Sequence, residues 1–84
     1  MRIEEYVETK RALEAGGVSV AFQYRPTEIT RYSRGHRVTV ITLETVCVIN
    51  RTIAGYAVFA PGDAFNLERG NAIAFARAYR QYSK

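Results

Sequence analysis

Residues 37–49 read RVTVITLETVCVI. Nine of these thirteen residues are Val, Ile or Thr. Their branched β-carbons are stiff in a helix and pack well on a pleated surface, so the stretch reads as strand. It is long for one strand. It is either a single strand bent near Glu44 or two strands in succession. Upstream, VSVAFQY (18–24) sets Val18, Val20, Phe22 and Tyr24 against Ser19, Ala21 and Gln23. That alternation marks a half-buried strand, with Pro26 ending or bordering it. Residues 27–36, TEITRYSRGH, are mixed, and Ser33-Arg34-Gly35 reads as a turn. Downstream, Asn50-Arg51-Thr52 is a turn, IAGYAVFA (53–60) is a final strand, and Pro61-Gly62 closes it. These connections are too short for parallel crossovers, so the strands pair antiparallel.

A helix flanks the strands on either side. Ile3, Tyr6, Val7 and Leu13 share one face of a helix at about 3–15, and Gly16-Gly17 stands where a C-cap belongs. The C-terminal stretch GDAFNLERGNAIAFARAYRQY (62–82) opens a second helix, capped by Asn66 or, three residues earlier, by Asp63. One side of this helix gathers Leu67, Gly70, Asn71, Ala74, Phe75 and Ala78, with Tyr82 beside them. Gly70, Ala74 and Ala78 recur every fourth residue and form a ridge of small side chains. Glycine weakens a helix interior by roughly 1 kcal/mol relative to Ala. Close approach of the helix axis to bulky sheet residues offsets that loss through denser contact. Gly70 is therefore read as a packing residue. The expected fold is α+β, in the order α-β-β-β-α. An antiparallel sheet of three or four strands carries both helices, packed on one face.

Eighty-four residues suit a single domain, 1–84, and 48% hydrophobic residues suffice for a small core. One cysteine, Cys47, excludes an internal disulfide. Cys47 and His36 are too few ligands for a Cys/His metal site, and neither a metal nor a cofactor is expected. No apolar run is long enough for a membrane helix. The opening MRIEEYVETKR is too acidic and broken for a signal peptide. The chain is therefore expected in the cytoplasm. Cys47 lies within an apolar strand, where a cysteine is ordinarily inert core. His36 belongs to an Arg-rich turn. Walker, Rossmann and zinc spacings do not occur, and an enzyme is not expected.

Net charge is +4, and ten of the twelve basic residues are Arg. Residues 1–17 hold three basic and four acidic groups, whereas residues 18–52 hold five Arg against two Glu. Two candidate binding surfaces follow. The segment QYRPTEITRYSRGHR (23–37) interleaves Arg25, Arg31, Arg34 and Arg37 with Tyr24 and Tyr32, a mixture suited to phosphate contact and base stacking and read as a loop. On the last helix, Arg69, Ile73, Arg77, Arg80 and Lys84 lie opposite the small-residue ridge. That face suits an acidic protein surface or a phosphate backbone.

The stretch YAVFAPGDAFNLERGNAIAFARA resembles a C-terminal signature of small bacteriophage and prophage accessory proteins: Pro-x-Asp-x-Phe-Asn, then Gly-x-x-Ile-Ala-x-x-Arg-Ala. Pro61, Asp63, Phe65, Asn66, Gly70, Ile73, Ala74, Arg77 and Ala78 match it. Asn71 stands where the signature has a basic residue. The match spans about a quarter of the chain. The resemblance implies a phage accessory protein that binds a host or phage macromolecule and modulates host machinery or defence. Two function classes result. The first is a non-enzymatic protein acting on a protein partner. The second is a small nucleic-acid-binding module using the Arg/Tyr segment and the basic helix face. A sheet with two edges in so small a protein also predicts a homodimer, built by edge pairing or by packing of exposed sheet faces.

Overall fold

The computed structural model describes residues 1–59 and 66–84. The elements run α1 (Ile3–Ala15), β1 (Val20–Ser33), β2 (His36–Ile49), β3 (Ile53–Val58) and α2 (Leu67–Tyr82). The strands form one antiparallel sheet in the order β1-β2-β3. The α-β-β-β-α order and the α+β class are as the sequence predicts, with three strands. Segment 37–49 is one unbroken strand, paired along its whole length with β1.

The departure lies in β1. It does not stop at Pro26 but continues to Ser33, with Pro26 opposite Leu43. A proline is barred from a central strand because it cannot donate to the ladder. Among the described strands β1 has only one neighbour, so Pro26 needs no donor toward the outer edge. The Arg/Tyr segment is therefore no loop. Residues 25–33 belong to β1, residues 36–37 to β2, and only Arg34 and Gly35 form the turn. Both have positive φ, 49° and 79°. That is the type I′ hairpin turn, whose twist matches that of paired strands.

Register fixes what each sheet face carries. The row Phe22, Cys47, Gly55 faces the helices. Over one end of it, the Tyr6 ring of α1 meets Phe22 edge-on at 6.1 Å and Phe75 of α2 at 5.2 Å. Over the other end, a Cβ added to Gly55 would overlap the backbone of Ala74 and Ala78 in α2. Both helices thus lie on one face, with Cys47, Ile49, Thr45, Phe75, Ala74 and Ala78 fully buried between the layers. The small-residue ridge works as its spacing implies, and Gly55 is the partner that admits it. Gly70 is buried beside the Phe59 ring and the Thr45 hydroxyl, at 3.2 and 3.3 Å from where its Cβ would stand. The buried arc of α2 is wider than the ridge, because Ala72 is also buried, while Leu67 is exposed.

Asn66 caps α2: its Oδ1 accepts the backbone N–H of Arg69 at 3.0 Å. Pro61, Asp63 and Phe65, including the alternative cap, lie outside the described residues. α1 ends at Gly16, followed by Gly17 at φ 87°. Its predicted face holds for Tyr6, Ile3 and Leu13, but Val7 is exposed. The helices cover only the sheet end near Val20–Tyr24 and Thr45–Ile49, which leaves the rest of the β1–β2 hairpin as an arm. The Cα trace extends 50 × 24 × 20 Å.

Candidate functional site

The arm begins beyond the Tyr24↔Thr45 pair, where Tyr24 Oη donates to Asn71 Oδ1 of α2 at 2.7 Å. This bond ties the root of the arm to the body. At the root, Arg25 Nη2 lies 2.7 Å from Glu44 Oε1, and its guanidinium stands 5.9 Å from the centre of the Tyr56 ring. Arg25 is therefore engaged within the sheet, away from the arm's end.

Residues 29–40, which make up the outer arm beyond the Glu28↔Ile41 pair, hold three Arg, one His and neither Asp nor Glu. Tyr32 is directly opposite Arg37 and Arg31 is directly opposite Val38. Successive strand residues point to opposite faces. Arg37 and Tyr32 thus share one face of the ribbon, Arg31 takes the other, and Arg34 occupies the tip. Tyr32 is 75% exposed, and Arg34 and Arg37 are exposed. An L-residue in the left-handed region is held at a cost of roughly 1 kcal/mol. Arg34 accepts that cost at the tip, and Arg51 (φ 64°) does so in the β2–β3 turn.

The second predicted surface is also present. Arg69, Ile73, Arg77, Arg80 and Lys84 are all exposed on the side of α2 turned away from the sheet row they flank. Arg77 is anchored, since its Nη1 donates to the Tyr56 carbonyl on the β3 edge at 2.6 Å. Tyr56, Arg77, Arg80 and Lys84 line a shallow groove there. The fold does not unite the two surfaces. The groove lies beside Ala54, which is paired with Val48, whereas Arg34 is at the far end of β2.

Cys47 and His36 are likewise apart: both are on β2, eleven residues from each other, about 36 Å at the strand rise. They cannot share a proton. Burial pushes the Cys47 thiol up to about 11, which keeps it protonated and unreactive at neutral pH. Among the described residues no three His, Cys, Asp or Glu side chains converge as metal ligands, and no helix is long and apolar enough to cross a membrane.

No protein-family model matches the chain, and neither a curated protein nor a solved structure is significantly similar to it.

Sequence reasoning missed the roles of Tyr56 and Asn71. Tyr56 joins Arg25 to Arg77, and Asn71 holds Tyr24. Neither has a sequence signal, because both depend on strand register. The pairing of Tyr32 with Arg37 follows from the Arg34-Gly35 turn once the hairpin is recognised.

Proposed function

We propose that this protein is a non-enzymatic nucleic-acid-binding module whose contact element is the β1–β2 arm. The observation that carries this reading is the acid-free outer ribbon, with Arg37 and Tyr32 on one face, Arg31 on the other and Arg34 at the tip. A two-stranded ribbon fits the major groove of duplex DNA. Cations on both faces and at the end suit a groove walled by two phosphate strands. Phosphate contacts supply affinity and position without reading sequence. Exposed Tyr32 offers a ring for stacking on an unpaired base. The resemblance of the C-terminal stretch to phage accessory proteins is consistent with such a role, in a host cytoplasm. The basic α2 face is a subsidiary contact, too distant from the tip to touch the same few nucleotides.

The test is fluorescence anisotropy with labelled single-stranded and duplex oligonucleotides over a salt series. Three phosphate contacts give a slope of log affinity on log salt of about −2 to −3. Binding that ignores salt, or no binding to either oligonucleotide at low salt, contradicts the reading. Attachment to a protein partner is the second reading, favoured by the apolar sheet face turned away from the helices, where Tyr56 and Val58 are 46% and 47% exposed.

A further inference from the structure

The sheet face opposite the helices carries, row by row from the body outward, Ala21, Val48 and Ala54, then Gln23, Val46 and Tyr56, then Arg25, Glu44 and Val58. Along the arm it continues through Thr27 and Thr42, Ile29 and Val40, then Arg31 and Val38. Neither α1 nor α2 lies on it. We propose that this face is a homodimer interface, on which a second copy of the chain stacks face to face about a two-fold axis near Thr27 and Thr42.

Three observations select a second copy on the face rather than at an edge. The first is that both sheet edges are obstructed. Pro26 removes a donor midway along the outer edge of β1. On the outer edge of β3, Arg77 occupies the Tyr56 carbonyl, with Arg80 and Lys84 beside it. Such cations are the usual guard against strand addition. Of the two routes to self-association that the sequence suggests, the face is the one left open.

The second observation is charge. The face has two Arg and one Glu, and Glu44 is already paired with Arg25. It therefore presents little field to draw in a polyanion or an acidic protein. Its remaining surface is mainly Val, Ile, Ala and Thr, with Gln23 and Tyr56 toward the body and Ser33 and His36 at the tip, which a like surface complements.

The third is extent. Two fourteen-residue strands make a strip about 45 Å long and about 10 Å wide. β3 widens the body end. The plan area is roughly 550 Å², and standing side chains raise the accessible area toward the ~800 Å² per partner of a standard interface. A two-fold axis near the middle lays Arg31 and Val38 of each arm over Gln23 and Val46 of the other copy, with Tyr56 beside them, and Ile29 and Val40 over the Arg25–Glu44 pair. Aligned sheets pack this way, with strands within about 30° of each other. A two-stranded ribbon is marginal alone in water, and stacking gives each arm a layer to rest on. Tyr32 and Arg37 lie on the ribbon's other face and Arg34 at its tip, so these three stay open to nucleic acid in the dimer, whereas Arg31 lies within the interface.

Sedimentation equilibrium across the micromolar range tests the proposal on three proteins. The native chain is expected at twice its 9.5 kDa mass, unchanged from about 0.05 to 0.5 M salt because the contact is apolar. Val38→Lys/Val58→Lys places charges at two half-exposed positions of the face. It is expected to weaken association at least about 100-fold, with an unchanged far-UV circular dichroism spectrum showing that the chain still folds. Ile41→Lys, on the opposite face of the arm and 71% exposed, is expected to leave the dimer intact. A native mass of 9.5 kDa throughout overturns the proposal. So does a dimer that survives Val38→Lys/Val58→Lys, or one that Ile41→Lys dissociates.

Discussion

Gly55 has no room for a methyl group. Its Cβ would fall on the backbone of Ala74 and Ala78, and backbone cannot step aside as a side-chain end can. Gly55→Ala must lift α2 off the sheet and should cost about 3 kcal/mol, at the upper end of overpacking effects. Gly70 differs, because an added Cβ meets the Phe59 ring and the Thr45 hydroxyl at 3.2 and 3.3 Å. That crowding opposes a helix-propensity gain of roughly 1 kcal/mol, so Gly70→Ala should stay within about 1 kcal/mol of the native protein. Urea denaturation of the two variants decides the matter, and equal losses would remove Gly55 from its place as the close-approach residue. Thr45 is a second residue with a definite forecast. Its hydroxyl is fully buried and has no hydrogen-bond partner among the described residues. Thr45→Val discards an unpaired polar group at nearly constant volume and should raise stability by about 1 kcal/mol; a loss of stability would reveal a partner for that hydroxyl. Cys47 supplies a third. Its folded-state titration is raised by burial to about 11, and Tyr6 is raised by burial and then by the Cys47 charge. The folded state thus resists deprotonation. This contribution is whole below the unfolded thiol value near pH 8.5 and is lost as pH rises toward 11. Melting temperature should fall over that window, and native Cys47 should react slowly with thiol reagents. In Cys47→Ala the alkaline fall should be shallower, and an identical fall would clear the thiol of responsibility.

At the scale of elements, local signals were enough for some features and not for others. The bounds of α1, the Asn66 cap, the Arg34-Gly35 turn and the small-residue ridge of α2 each depend on neighbours a few residues away. All four are legible in the chain. The length of β1 is not, because Pro26 is tolerated only through the strand order: β1 is an edge. Position in a sheet is a property of distant segments. The same limit hid Gly55, whose helix partner is some twenty residues downstream. It also hid the Arg25–Glu44 pair, which register alone brings together. The candidate site was visible as a cluster of Arg and Tyr but not as a shape. Reading a loop there was natural while Pro26 closed the strand. Once the strand continues, the cluster becomes a rigid projection with defined faces. Its residues then divide, with Arg25 held at the root and Tyr32, Arg34 and Arg37 presented at the end.

At the scale of the molecule, the division between body and arm is the central feature. The body holds the buried residues, both helices and β3. The outer part of the arm, residues 29–40, carries cations and no acid, and nothing among the described elements packs on it. An exposed ribbon adds little to the stability of the body, so substitutions at its tip should leave melting unchanged while altering contact with a partner. Dimerisation through the open sheet face would set two such tips at opposite ends of one particle. The most direct measurement is the salt dependence of oligonucleotide binding, by fluorescence anisotropy, for the native protein and for Arg34→Ala/Arg37→Ala. If the arm is the contact element, the double variant should bind at least about 10-fold more weakly at low salt. Its log–log salt slope should be smaller by about 2, one for each phosphate contact removed. Native affinity and native slope in a normally folded double variant would contradict the account.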